Sequence, residues 1–202
     1  MIAVVDYGAG NVASVCKALE HLGQPAMLTA DPAQLRAAER VVFPGQGHFG
    51  QAMQRLTATG LDDVLRDVVA GGKPFLGICL GLQLLFEGSD EAAGVAGLGI
   101  LRGRCVRFAG PLRTPQVGWN AVRRTAQGSP HDALGDGAHF YFVHSYHALA
   151  SDPADVVAVA DYGGPFVASV QRGQVFAAQF HPEKSGEAGL ALIRAWLATG
   201  AS

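Results

Sequence analysis

The feature that most constrains this chain is the alternation, from Ile2 to Phe86, of short apolar runs with segments of helical period. Ile2–Val5 reads as a strand. Asn11–Leu22 places Val12, Val15, Cys16, Leu19 and Leu22 at helical spacing, and Gly23 stands as its C-terminal cap. Ala26–Thr29 is a second strand and Val41–Phe43 a third, ended by Pro44-Gly45. Helical stretches over Phe49–Thr57 and Leu61–Ala70 follow. Gly71-Gly72 breaks the pattern, Pro74–Ile78 is a buried strand, and Leu80–Phe86 is helical again. This order predicts a parallel sheet with helices on both faces.

Beyond Phe86 the pattern turns to strands with short turns: Arg104–Phe108, Gln116–Val122, His139–Val143, Ser145–Leu149, Val156–Asp161, Phe166–Gln171 and Val175–Ala178. Gln171-Arg172-Gly173-Gln174 reads as a hairpin turn. An amphipathic helix, Gly186–Ala198, closes the chain with Leu190, Ile193, Trp196 and Leu197 on one side. There is no internal repeat or linker, so one domain over residues 1–202 is expected.

Hydrophobic residues make up 49% and charged residues 16% of the 202, which argues against disorder. A net charge of -2 without a basic run gives no nucleic-acid surface. No apolar run reaches membrane-spanning length, and Met1-Ile2-Ala3-Val4-Val5-Asp6 lacks the pattern of a signal peptide. Cys16, Cys79 and Cys105 form neither CxxC nor zinc spacing. A reducing cytoplasm is the expected location, with a thiol free for chemistry.

Gly77-Ile78-Cys79-Leu80-Gly81 falls where a buried strand turns into a helix, a cysteine version of the nucleophile elbow. The flanking glycines permit a sharp turn, and the Leu80 amide can face a developing oxyanion. The pentapeptide alone fits a small core cysteine beside packing glycines equally well. Phe180-His181-Pro182-Glu183 follows the last apolar strand. Pro182 pushes His181 toward an extended backbone, in which His181 and Glu183 point to the same side. Glu183 can then orient the ring and leave its other nitrogen for Cys79. HxE alone is usually a surface loop, but both motifs arising together, each at a strand end, is a much rarer accident.

His21 and His131 read as ordinary surface or helix residues, and His48, His139, His144 and His147 form no ligand pattern. Cys16 and Cys105 read as buried and inert, and Trp196 as core. Asp6-Tyr7-Gly8-Ala9-Gly10-Asn11 is glycine-rich but lacks both G-x-G-x-x-G and a Walker lysine, so nucleotide binding is discounted.

Gly77-Ile78-Cys79-Leu80-Gly81-Leu82-Gln83 with His181-Pro182-Glu183 resembles the class I, triad-type glutamine amidotransferases. Five further segments are similar to one branch of that class, the glutaminase subunits of imidazole glycerol phosphate synthase. They are Asp6 to Asn11, Pro44-Gly45-Gln46-Gly47, Gly118-Trp119-Asn120, Tyr141 to Tyr146, and Gln179 to Ser185. The resemblance runs the length of the chain and implies a flavodoxin-like α/β fold with additional strands in the second half. It makes Cys79 the nucleophile, His181 the base and Glu183 its orienter. It places Gln83, Gly45, Gln46, Gly47, Leu80 and the backbone at Ser145 and Tyr146 around substrate glutamine. It implies no metal or organic cofactor.

The implied partner is a (βα)8-barrel cyclase that receives ammonia and forms imidazole glycerol phosphate and an aminoimidazole carboxamide ribotide in histidine biosynthesis. Asn11, Trp119 and Asn120 fall on segments that face it. Gln46, where some members carry Val, and His48 after Gly47 depart from the pattern without touching the triad. The peptide between Gly45 and Gln46 is expected to take two orientations, one of them facing the oxyanion position. Other amidotransferase subunits, serving pyridoxal phosphate or anthranilate synthesis, a cysteine peptidase of similar fold, and a non-catalytic scaffold remain the competing readings.

Overall fold

All four residues of strand β1 (Ile2–Val5) are apolar and buried, as a strand covered on both faces requires. The computed structural model describes residues 1–8 and 12–200. In it Ile2 and Val4 pack in one core with Val15 and Leu19 of α1 (Val12–His21), while Ala3 and Val5 point into a second core. The two-residue period of the strand thus divides the molecule into two apolar layers. Next come β2 (Ala26–Thr29), α2 (Pro32–Ala37), β3 (Arg40–Gly45), α3 (Phe49–Thr59), α4 (Leu61–Ala70), β4 (Phe75–Cys79) and α5 (Leu80–Leu84). Then follow β5 (Gly88–Ser89), β6 (Gly103–Arg107), β7 (Gln116–Ala121), β8 (Arg123–Arg124), β9 (His139–His144) and β10 (Tyr146–Ala150). The chain closes with β11 (Val156–Asp161), β12 (Pro165–Arg172), β13 (Val175–Ala178) and α6 (Gly186–Ala198).

The main sheet has the order β2-β1-β3-β4-β13-β12-β11-β8. Its first five strands are parallel, in the doubly wound order of flavodoxin-like sheets. The remaining three add antiparallel. Leu35, Phe49, Leu65 and Leu82, from α2 to α5, fill one core; α1 and α6 cover the other with Leu19, Leu192 and Trp196. Strands β7 and β9 form a separate two-stranded ribbon, and β10, β6 and β5 a three-stranded sheet. Among the described residues no helix is long and apolar enough to cross a membrane.

The differences from the sequence reading have local causes. Pro44-Gly45 does not end β3: the strand pairs with β1 through Val42 and with β4 through Gly45. At Pro44 the strand therefore has one neighbour, where a missing donor is tolerated. Helix α2 lay hidden because its six residues are too few to show a helical period, although Asp31 caps it by accepting from the Ala33 amide at 2.8 Å and Pro32 opens it. Helix α5 stops at Leu84, because the Leu85 and Phe86 amides turn back to the Leu82 and Gln83 carbonyls. His131 is not a surface residue; it is 4% exposed and sits edge-on to Phe140, Phe176 and Phe180.

Candidate active site

Strand β4 ends on Cys79 and α5 starts at the next residue, so the chain turns on a single position. Cys79 has φ 54 and ψ −108, and it is the sole non-glycine with positive φ among the described residues. Such a backbone costs about 1–3 kcal/mol and persists where the surroundings dictate it. Those surroundings are unusually tight. A Cβ on Gly81 would lie 1.9 Å from the Phe43 carbonyl oxygen. A Cβ on Gly45 would lie 2.5 Å from the Tyr7 hydroxyl and 2.9 Å from Leu80 Cβ. The ends of β1, β3 and β4 thus close on the elbow only because these positions lack side chains. A valine at Gly45 would wedge β3 off the elbow rather than report on loop motion.

His181 follows β13 and precedes a 3-10 turn, Pro182–Lys184. Its Nδ1 donates to Glu183 Oε1 at 2.8 Å, with both side chains about 2% exposed. The two meet through the turn that Pro182 opens, not through the extended run read from the sequence. The backbone of His181 is clamped to β9: its amide donates to the Tyr141 carbonyl at 2.9 Å, and its carbonyl accepts from Ser185 Oγ at 2.6 Å. Burial disfavours a charged ring, but the neighbouring Cys79 sulfur and the hydrogen-bonded Glu183 carboxylate outweigh it and raise the His181 pKa from 6.5 to about 10. The Nε2 atom makes no aligned hydrogen bond. The sulfur acts on it electrostatically from nearby, a looseness common in such pairs before substrate is in place.

These groups open into a cleft of about 430 Å³ at the carboxyl ends of the parallel strands. Cys79, His181, Gln46, Gly47, Leu80, Gln83, Ser145 and Tyr146 all line it, so the structure gathers nearly every residue expected around substrate. Gly45 lies one residue behind the wall, paired with Cys79 across the β3–β4 ladder. A larger cleft of about 650 Å³ beside β5 and β10 lacks a nucleophile–base pair. Gln83 commits its Nε2 to the Tyr146 carbonyl at 2.8 Å and to Gln179 Oε1 at 2.9 Å, so what it can offer a ligand is Oε1. Trp119 lies on β7, 54% exposed, its ring 6.1 Å from that of Tyr141, which in turn lies 6.4 Å from the His181 ring. Asn120 accepts from Gln116 and donates to the Asp161 carbonyl, so its side chain is bound internally. Asn11 lies outside the described residues.

Five residues to which the sequence assigned no role join the site. Glu91 and Lys184 line the cleft with opposite charges, matching the ammonium and carboxylate of an amino acid. Buried His144 donates from Nδ1 to the Tyr146 carbonyl at 2.8 Å; burial, ahead of smaller influences, pushes its pKa down to about 4. Gln179 donates to Cys79 Sγ at 3.8 Å. Tyr7 is buried beside Gly45, and its ionisation is pushed well up, first by burial and then by the charge of Cys79. Among the described residues no three His, Cys, Asp or Glu side chains gather so as to hold a metal ion.

The sequence matches the family described as glutamine amidotransferase class-I over residues 3–198. The chain belongs to that family. Two relatives, from Rhodopirellula baltica and Thermococcus kodakarensis, are each named imidazole glycerol phosphate synthase subunit HisH. The first is 47% identical over 96% of this chain and 95% of its own length. The second is 48% identical over 96% and 97%. A crystal structure of a glutamine amidotransferase superposes on this amidotransferase with a TM-score of 0.78 at 22% identity, covering 98% and 97% of the two chains. The structure of PurLQS from Thermotoga maritima does so with 0.75 at 20%, covering 97% and 96%. At those identities the two structures speak for the shared fold alone.

Proposed function

We propose that this amidotransferase is the glutaminase subunit of imidazole glycerol phosphate synthase, working as one domain and feeding ammonia to a (βα)8-barrel cyclase. The observation that carries the chemistry is Cys79 on its strained elbow, facing a His181–Glu183 pair in a cleft sized for an amino acid. Cys79 Sγ attacks the side-chain amide carbon of glutamine. His181 holds the thiol proton and gives it to the departing ammonia, leaving a thioester. Water, deprotonated by His181, then releases glutamate. The Leu80 amide and a backbone amide of Gln46 or Gly47 receive the oxyanion, and Glu91 and Lys184 hold the α-ammonium and α-carboxylate. Each step uses the chain's own groups and water.

The partner reading draws support from β7. Val117 and Trp119 are 59% and 54% exposed, an unusual degree for such side chains, and Trp119 reaches the catalytic histidine through Tyr141. A surface that meets the partner there would deliver ammonia without release to bulk water, where protonation ends its nucleophilicity. The three unpaired cysteines fit work in the reducing cytoplasm.

A glutaminase assay with and without a barrel cyclase tests the reading. Glutamate release that rises when the cyclase and its acceptor are added is the expected result. Release that ignores the cyclase would point to a different amidotransferase complex, and no release at all would end the glutaminase reading.

A further inference from the structure

The catalytic steps leave two buried amide side chains next to Cys79 without a part to play. Gln83 is 5% exposed and Gln179 fully buried. They form a chain of donors that ends on the nucleophile. Gln83 Nε2 donates to the Tyr146 carbonyl at 2.8 Å and to Gln179 Oε1 at 2.9 Å, and Gln179 Nε2 donates to Cys79 Sγ at 3.8 Å.

An amide group fits its space either way round, so its direction has to follow from its partners. Here one atom decides it. The Tyr146 carbonyl can only accept, so Gln83 must turn its NH2 toward it. The other hydrogen of that NH2 then needs an acceptor, and Gln179 must supply Oε1. That leaves Gln179 with its NH2 toward the sulfur. The reverse arrangement would set two NH2 groups against each other beside the fully buried Gln179 and would aim a carbonyl at the sulfur. His144 Nδ1 donates to the same Tyr146 carbonyl and fixes the start of the chain from the other side.

We propose that Gln179 is a positioning residue for the nucleophile: its amide, polarised in one direction by Gln83 and the Tyr146 carbonyl, keeps a hydrogen-bond donor against Cys79 Sγ and favours thiolate over thiol. The inference deepens the glutaminase reading and rests on Cys79 being its nucleophile. The relay works alongside His181, which carries the proton and lies two residues further along the segment that follows β13. A donor to a charged acceptor in a buried site changes an equilibrium by about 10- to 100-fold. The competing explanation is that the two glutamines only tie β13 to α5.

Gln179→Glu separates the two explanations. It keeps an oxygen for Gln83 to donate to, and it replaces the donor at the sulfur by an acceptor. Alkylation of Cys79 by iodoacetamide in the full chain, followed by peptide mapping across neutral and alkaline pH, reads the sulfur directly. The variant is expected to react about 10- to 100-fold more slowly near neutral pH, with its pH profile displaced to the alkaline side. With the cyclase present, glutaminase kcat should fall by a similar factor while KM changes little. A Gln179→Glu profile superimposed on that of the wild type overturns the inference, whatever happens to the melting temperature. Should Gln179→Glu not fold, Gln83→Leu removes the anchor and leaves Gln179 in place; an unshifted profile there overturns it equally. A wild-type chain that alkylates as described but releases no glutamate would sink the glutaminase reading and spare the donor on the sulfur.

Discussion

His181 and His131 are both buried, and their rings titrate in opposite directions. In the cleft, His181 has a buried carboxylate 2.8 Å from Nδ1 and a nucleophilic sulfur nearby, and its pKa rises to about 10. In the aromatic core, His131 has only Ser169 Oγ at 2.9 Å and three phenylalanine rings around it, and burial takes its pKa down to about 4. The two regions adjoin: Phe180 stacks in the core and the next residue is the proposed base. Burial by itself neutralises a histidine; a partner that must stay charged reverses the outcome. The protein therefore uses one residue type as a packed, uncharged wedge and as a proton carrier a few residues apart in space.

The largest effects should come from breaking the charged side of this contrast. Cys79→Ala and His181→Ala are each expected to lower glutamine-dependent turnover by about 10⁴-fold or more while the proposed cyclase partner still works with ammonium salts. Measurable glutaminase in Cys79→Ala would refute the mechanism. Glu183→Gln keeps the shape but removes the charge that holds the proton on His181, and should be about 10- to 100-fold milder than His181→Ala in kcat. If the order were inverted, the two roles would have to be exchanged.

Stability against pH sharpens the comparison further. The folded pKa of His131 lies below its ordinary 6.5, so its stabilisation is complete above about 6.5 and is lost as pH falls through about 4. The shift corresponds to roughly 3 kcal/mol at most. Buried His144 acts in the same direction. The folded pKa of His181 is raised, so its contribution is complete below about 6.5 and is lost as pH rises through about 10. Denaturant melts across pH should show His131→Leu flattening the acid limb and His181→Ala flattening the alkaline limb. Matching limbs in wild type and variants would remove the basis of the contrast. The smallest effect on the isolated chain should be that of Trp119→Glu, within about 0.5 kcal/mol of wild type because the ring is exposed. The same change should weaken cyclase binding in a titration; unaltered affinity would move the interface elsewhere.

The sheet and the elbow on which the proposed nucleophile sits were legible in the sequence for the same reason. Strands covered on both faces must be continuously apolar, as β1 and β4 are, and a reactive cysteine at such a strand end needs small neighbours at fixed positions. The His131 environment was not legible, because Pro130-His131-Asp132-Ala133 carries no apolar period and its burial depends on phenylalanines contributed by β9, β13 and the segment before His181. Gln179 stood in plain view beside His181, yet its partner Gln83 is 96 residues away, and donor direction leaves no trace in composition or periodicity. Glu91 sits in a turn whose pattern says nothing of the cleft it borders. The sequence thus encoded the scaffold locally and the polar network only through the fold.

The β3–β4 ladder sets Gly45 opposite Cys79 and Phe43 opposite Gly77. That fixes the reach between nucleophile and oxyanion strand at the interstrand spacing of a sheet, about 4.8 Å, as long as Gly45 and Gly81 carry no side chain to force the strands apart. A one-residue insertion in β3 would turn its faces inside out and drive a Cβ into the elbow. Anyone retargeting this scaffold to another small amide should leave the ladder untouched. A library randomised at Glu91 and Ser145 would vary which amino acid is admitted while inheriting the chemistry; one randomised from Phe43 to Gly47 would mostly return inactive clones.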